Sequence, residues 1–139
     1  MTEQVLRDAN DNDFFDSWIK VKKSIHDKNV IRTIHEGEIW WCGMGKNVGV
    51  EINGKNERFS RPILIIKKLS RLNFLAVPLT SQQHVGSWYT SFTFQGKIET
   101  ASLSQIRTMS TARLYKRIGT VPDTDLQIVK NGLHKLYFG

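Results

Sequence analysis

Arg61 opens the run Arg61-Pro62-Ile63-Leu64-Ile65-Ile66, placing a cation at the mouth of a purely aliphatic segment. A guanidinium there can donate two parallel hydrogen bonds to phosphate oxygens and stabilise the extra negative charge of a pentavalent phosphorus. Polar groups recur at the ends of later apolar runs. Val77-Pro78-Leu79-Thr80-Ser81 finishes in two hydroxyls, which can bond phosphate oxygens or position a ribose 2′-hydroxyl. Ser104-Gln105-Ile106-Arg107-Thr108 adds an amide and a second guanidinium. Glu51, in the loop before Arg61, can accept a proton, read a base edge, or pair with Arg61 and orient it. Ser81 to Trp88 holds Gln82, Gln83, His84 and Trp88, the mixture of polar edges and aromatic rings that grips unpaired bases. Plainer readings stand beside each: an Arg61–Glu51 pair that only closes a loop, a Thr-Ser that only starts a turn, an uncommitted surface histidine.

The elements that must carry these groups are mostly strands. After Gly37, Ile39 to Cys42 reads as an aromatic-rich strand and Gly43 to Lys46 as a loop; Val48, Val50 and Ile52 alternate before the tight-turn pair Asn53-Gly54. Pro62 to Lys68 has the continuous aliphatic character of a strand buried on both faces, turning at Arg71-Leu72-Asn73 into an antiparallel Phe74–Leu79. Trp88 to Phe94 alternates, Gly96 marks a turn, and Thr100 to Arg107 is expected to be one further strand. Trp40 and Trp41 must face opposite ways, one into the core, and Cys42 suits a small buried hydrophobe. Two amphipathic helices flank this set. Phe14, Trp18, Val21 and Ile25 form one stripe behind the N-cap residue Asp13, ending near Lys28; Leu126, Val129, Leu133 and Leu136 form the other, with Asp123 and Asp125 at its start. Residues 29–36 read as a linker. The expected fold is therefore mainly β with flanking helices: a small antiparallel barrel with an N-terminal and a C-terminal helix, divided into an extension over 1–35 and a barrel domain over 36–139.

Composition narrows the function. The 139 residues are 40% hydrophobic and 10% aromatic, as in folded globular chains. No apolar run approaches the roughly 20 residues of a membrane span, and the polar N-terminus shows no signal-peptide core, so a cytosolic protein with no membrane role is expected. One cysteine and scattered histidines offer no ligand framework, so no metal or other cofactor is expected. The net charge of +7 is uneven: residues 1–35 carry six basic and six acidic side chains, leaving fourteen and seven in the remainder. A basic body suggests a polyanionic partner, either nucleic acid or an acidic protein.

Taken in order, Gly37-Glu38-Ile39-Trp40-Trp41, Gly49-Val50-Glu51, Arg61-Pro62-Ile63-Leu64-Ile65, Pro78-Leu79-Thr80-Ser81 and Gln105-Ile106-Arg107-Thr108 resemble the PemK/MazF toxin family. The resemblance spans 36–139 and omits the N-terminal helix. It implies an SH3-like barrel, a homodimer in the bacterial cytoplasm, and an mRNA-cleaving toxin restrained by an acidic cognate antitoxin. By the same resemblance Arg61 and Thr80 are catalytic and Glu51 contacts RNA. Ser81, Gln82, His84, Gln105 and Arg107 are candidate substrate contacts, although an arginine at the Arg107 position of such a motif more often has a structural or dimer-contact role. One departure stands out. Some relatives carry an arginine and a carboxylate at the positions matching Ser102 and Ser104, so the acid/base pair of that branch is absent here.

The leading expectation is a metal-independent endoribonuclease that cuts single-stranded mRNA through 2′-hydroxyl attack. Two alternatives are a CcdB-like gyrase-poisoning toxin, for which the Arg61, Thr80 and Glu51 set would have no purpose, and a non-catalytic RNA- or protein-binding barrel, which the two serines would suit.

Overall fold

The computed structural model describes residues 32–44 and 60–139, together with Ser17, which is helical but alone defines no element. The rest of the expected Asp13–Lys28 helix, the Val48–Ile52 strand with its Asn53-Gly54 turn, and Glu51 lie outside the described residues. The elements are β1 (Glu38–Gly43), β2 (Ser60–Lys68), β3 (Asn73–Thr80), β4 (Tyr89–Phe94), β5 (Lys97–Ser102), β6 (Arg107–Ser110), β7 (Leu114–Thr120) and α1 (Asp123–Phe138). Every strand pairing is antiparallel, in the order β4-β5-β3-β2-β1-β7, with β6 added to β3. Among these residues no helix is long and apolar enough to cross a membrane.

The aliphatic run of β2 is buried on both faces because two core layers meet across it. Leu64 and Ile66 join Val77, Leu79, Phe92 and Leu103 under α1, whose Leu126, Val129 and Leu133 complete that layer. Ile63 and Ile65 face the other way, toward Trp40, Cys42, Phe74 and Met109. The two tryptophans divide as strand geometry requires, Trp40 buried and Trp41 36% exposed.

β3 changes its second partner along its length. Its first half, Asn73 to Ala76, pairs with β6, and its last residues, Leu79 and Thr80, pair with β5. The β2–β3 ladder begins only at Ile63↔Pro78. Pro62 and Pro78 have no N–H to donate, so hydrogen bonding between the two strands stops short of Arg61 and Thr80. Arg61 is held instead by β1, opposite Cys42, and Thr80 by β5, opposite Thr100. The candidate arginine and threonine thus stand where two ladders part.

The ends of the sheet curl toward each other. Gln95 (φ 51°) and Gly96 (φ 77°) make a tight left-handed turn between β4 and β5. The Gln95 amide donates to the Ile118 carbonyl at 3.4 Å, and a Cβ on Gly119 would lie 2.7 Å from Phe94 Cζ. Among the described residues no backbone ladder joins β4 to β7, so the curl is held there by side chains.

Three local expectations change. The single strand expected over Thr100–Arg107 is two, β5 and β6, separated by a 3-10 turn at Leu103–Gln105. Buried Leu103 forces the break: its N–H donates to the Trp88 carbonyl at 2.8 Å and its carbonyl accepts from the Tyr137 hydroxyl at 3.0 Å. β7 has no counterpart in the sequence reading, because Lys116 and Arg117 interrupt its apolar alternation, as at many sheet edges. The described end of the expected linker is packed, with Ile34 1% exposed and Glu36 3.6 Å from Lys130.

Candidate functional site

Arg61 is half-buried at the start of β2, and its Nη1 donates to the Leu79 carbonyl at 3.3 Å. Burial lowers its pKa from the ordinary arginine value, but a guanidinium remains charged throughout the neutral range. That bond ties the head of β2 to the tail of β3. Thr80 Oγ1 accepts from the Gln82 N–H at 3.2 Å, so Thr80 does start a turn. Its hydroxyl hydrogen is not used in that bond and can still be donated to a ligand.

Two cavities open on either side of this pair. The first, about 400 Å³, extends from the α1-side core layer, with Ile39, Leu79, Phe94 and Ile118 on its floor. Half-exposed Trp41 and Pro62 line it, and Ser60, Ser81, Gln95, Lys97 and Glu99 add polar groups. Burial raises the Glu99 carboxyl pKa above the ordinary carboxylate value, opposed by the charge of Lys97. The second cavity, about 660 Å³, is lined by Gln82, His84, Trp88 and Tyr89 from the β3–β4 connection and by Ser102, Ser104 and Gln105 from the end of β5 and its 3-10 turn. Its histidine is stacked on Tyr89, with ring centroids 4.7 Å apart and planes 18° from parallel. Arg61 and Thr80 line both cavities and, among the described residues, are the only ones common to the two linings. Each volume falls in the roughly 300–1,000 Å³ range of ligand sites.

The structure therefore gathers Arg61, Thr80, Ser81, Gln82, His84 and Gln105 around one junction, with the first cavity taking Ser81 and the second taking Gln82, His84 and Gln105. Arg107 lines neither cavity. It lies on β6 opposite Ala76 and acts electrostatically on Arg113 and Cys42. Cys42 is fully buried, its Sγ 3.8 Å from Met109 Sδ, and burial pushes its thiol up to about 12. Both serines that replace charged groups of some relatives face the second cavity, Ser102 buried and Ser104 exposed. The described lining of that cavity holds no carboxylate.

Sequence reasoning missed Lys97 and Glu99. Two apart on a strand, they share a face, and that spacing on the hairpin was the available signal. It became informative only once β5 was docked beside Thr80. Trp41 and Tyr89 were likewise not assigned to a site, because only the cavity walls show which exposed ring faces it.

A curled antiparallel sheet with a polar cleft where its ladders part, capped by one helix, defines a small mainly-β protein of the MazF-like fold. The chain belongs to the PemK-like, MazF-like toxins of type II toxin–antitoxin systems, whose family profile matches residues 35–137. Among solved structures, it is similar to MazF from Deinococcus radiodurans at 17% identity and a TM-score of 0.59, covering 78% of this chain and 97% of that one. A mycobacterial endoribonuclease in complex with its cognate antitoxin is similar at 16% identity and a TM-score of 0.58, covering 77% and 98% respectively. The MazE–MazF structure from Deinococcus radiodurans gives 16% identity and a TM-score of 0.55, covering 79% and 98%. No curated protein matches the sequence significantly.

Proposed function

We propose that the protein is the toxin of a type II toxin–antitoxin pair and acts as a base-selective endoribonuclease on single-stranded mRNA. The observation that carries this is the position of Arg61 and Thr80, just beyond the end of the β2–β3 ladder and in the common wall of two cavities. A phosphodiester seated on that wall would receive hydrogen bonds from the guanidinium and the threonine hydroxyl, and its two flanking nucleotides would extend into the cavities. The adjacent 2′-hydroxyl attacks phosphorus, the bond to the 5′-oxygen breaks, and the products carry a 2′,3′-cyclic phosphate and a 5′-hydroxyl. Arg61 stabilises the charge that develops on the non-bridging oxygens, an interaction worth several kcal/mol in a half-buried setting. Ser81, Gln82 and Gln105 line the cleft as base-edge and backbone contacts, with Glu51, ahead of β2 in the chain, assigned as a further RNA contact. Arg107 we assign to support of the buried surroundings of Cys42 and Arg113.

The nucleophile belongs to the substrate, so the cut requires no metal-activated water. The basic body suits an acidic antitoxin that covers the cleft, and the chain is expected to act as a homodimer, with residues 1–35 an extension beyond the barrel. Purified protein incubated with a mixed single-stranded RNA pool in EDTA is expected to cleave it, with new ends that resist ligation until the cyclic phosphate is opened. Arg61→Ala is expected to lower the rate about 10²–10³-fold. Undiminished cleavage by that variant would overturn the reading, and salt-sensitive binding without cleavage by the wild type would establish the non-catalytic alternative.

A further inference from the structure

Transesterification of RNA moves two protons on opposite sides of phosphorus. The 2′-hydroxyl loses one as it attacks, and the departing 5′-oxygen gains one, the two oxygens lying in line through the phosphorus. Ser102 and Ser104 cannot exchange protons at neutral pH, and the residues of the shared wall are no better suited. An arginine stays protonated, and a threonine hydroxyl is neither acid nor base in this range. Among the described residues, the groups that can serve lie one on each side of the wall. Glu99 is the carboxylate in the described lining of the first cavity, and His84 is the imidazole in that of the second.

We propose that Glu99 and His84 are the base and the acid of this cleavage, acting from opposite cavities on a phosphate held between them by Arg61 and Thr80. The assignment rests on the endoribonuclease reading above. In the step, the Glu99 carboxylate takes the 2′-hydroxyl proton as the 2′-oxygen bonds to phosphorus. The imidazolium of His84 gives its proton to the 5′-oxygen as the phosphorus–oxygen bond breaks. The enzyme is left with a neutral carboxylic acid and a neutral imidazole, and proton exchange with water restores both.

The surroundings suit this direction. Burial makes Glu99 a stronger base than an ordinary carboxylate, with Lys97 on its own strand and Arg61 from β2 the cations that share its cavity and Phe92 its non-ionising partner on β4. The stacked Tyr89 ring steadies the His84 ring, and Arg61 is the cation in the described lining of that cavity. Both cavities also carry an exposed indole, Trp41 in the first and Trp88 in the second, able to stack the nucleotide on each side of the cut.

The test compares a short RNA with the same RNA carrying sulfur in place of the bridging 5′-oxygen, whose thiolate leaves without an acid. On normal RNA, His84→Gln and Glu99→Gln are each expected to lose about 10²-fold or more. His84→Gln should recover to near wild-type rates on the sulfur substrate and lose the alkaline limb of the pH–rate profile. Glu99→Gln should stay slow on both substrates and lose the acidic limb. Arg61→Ala should stay slow on both as well. Rescue of Glu99→Gln in place of His84→Gln would overturn the assignment, as would wild-type rates for either variant, while cleavage dependent on Arg61 left the endoribonuclease reading intact. Failure of the wild type on both substrates would overturn that reading, and this one with it. Unchanged unfolding curves for both glutamine variants tie any rate loss to chemistry.

Discussion

Glu38 shows how differently one residue reads before and after folding. In the sequence it is a letter of the Gly37-to-Trp41 motif. In the structure it is buried on β1, where Oε1 accepts from the His35 N–H at 2.7 Å and from the Trp40 indole N–H at 3.2 Å. Its Oε2 lies 3.6 Å from Arg117 and from His35, both mostly exposed, so those ion pairs add little. The two hydrogen bonds decide its value, since removing their acceptor strands a buried indole donor. Glu38→Ala is expected to cost about 2–3 kcal/mol, and Glu38→Gln, which keeps an acceptor oxygen, clearly less; denaturant titration measures both. Arg61 was legible as a candidate because its chemistry depends on a local fact, a cation heading an aliphatic strand. The role proposed for Glu99 was not, because it depends on which distant segment the β4–β5 hairpin docks against.

At the scale of elements, strand identity is legible where burial is uniform and illegible where a long-range contact overrides it. β2 and β3 follow directly from their aliphatic runs, whereas the turn at Leu103–Gln105 exists because Trp88 and Tyr137 reach Leu103 from elsewhere in the chain. The α1 stripe was equally clear, but its glycine was not explained. A Cβ on Gly132 would meet Thr90 Oγ1 at 2.7 Å and Leu103 Cδ1 at 3.0 Å, so at this residue the helix packs close against β4 and the 3-10 turn. Gly132→Ala sets two effects against each other. Helix propensity favours alanine by about 1 kcal/mol, while overpacking at such distances costs about 1–3 kcal/mol. The clash is expected to prevail, lowering Tm by a few degrees, roughly 3–5 °C per kcal/mol lost. A higher Tm would mean that the helix moves away freely.

For the whole molecule, the charge asymmetry makes an expectation of its own. If RNA binds across the two cavities, log Kd should rise linearly with log salt, with a slope near 0.7 for each phosphate neutralised on a single strand. Lys97→Gln removes one cation from the first cavity and is expected to reduce that slope by about 0.7, measurable by fluorescence anisotropy with a labelled oligonucleotide. An unchanged slope would place the backbone path elsewhere.

The contact between Tyr137 and the Leu103 carbonyl has a consequence in time as well as in space. Translation delivers Arg61, Thr80, His84, Glu99 and the two serines well before α1, and the turn that carries Ser104 is steadied by that helix. A chain still emerging from the ribosome therefore passes through a stage that holds the groups proposed to react without their final arrangement.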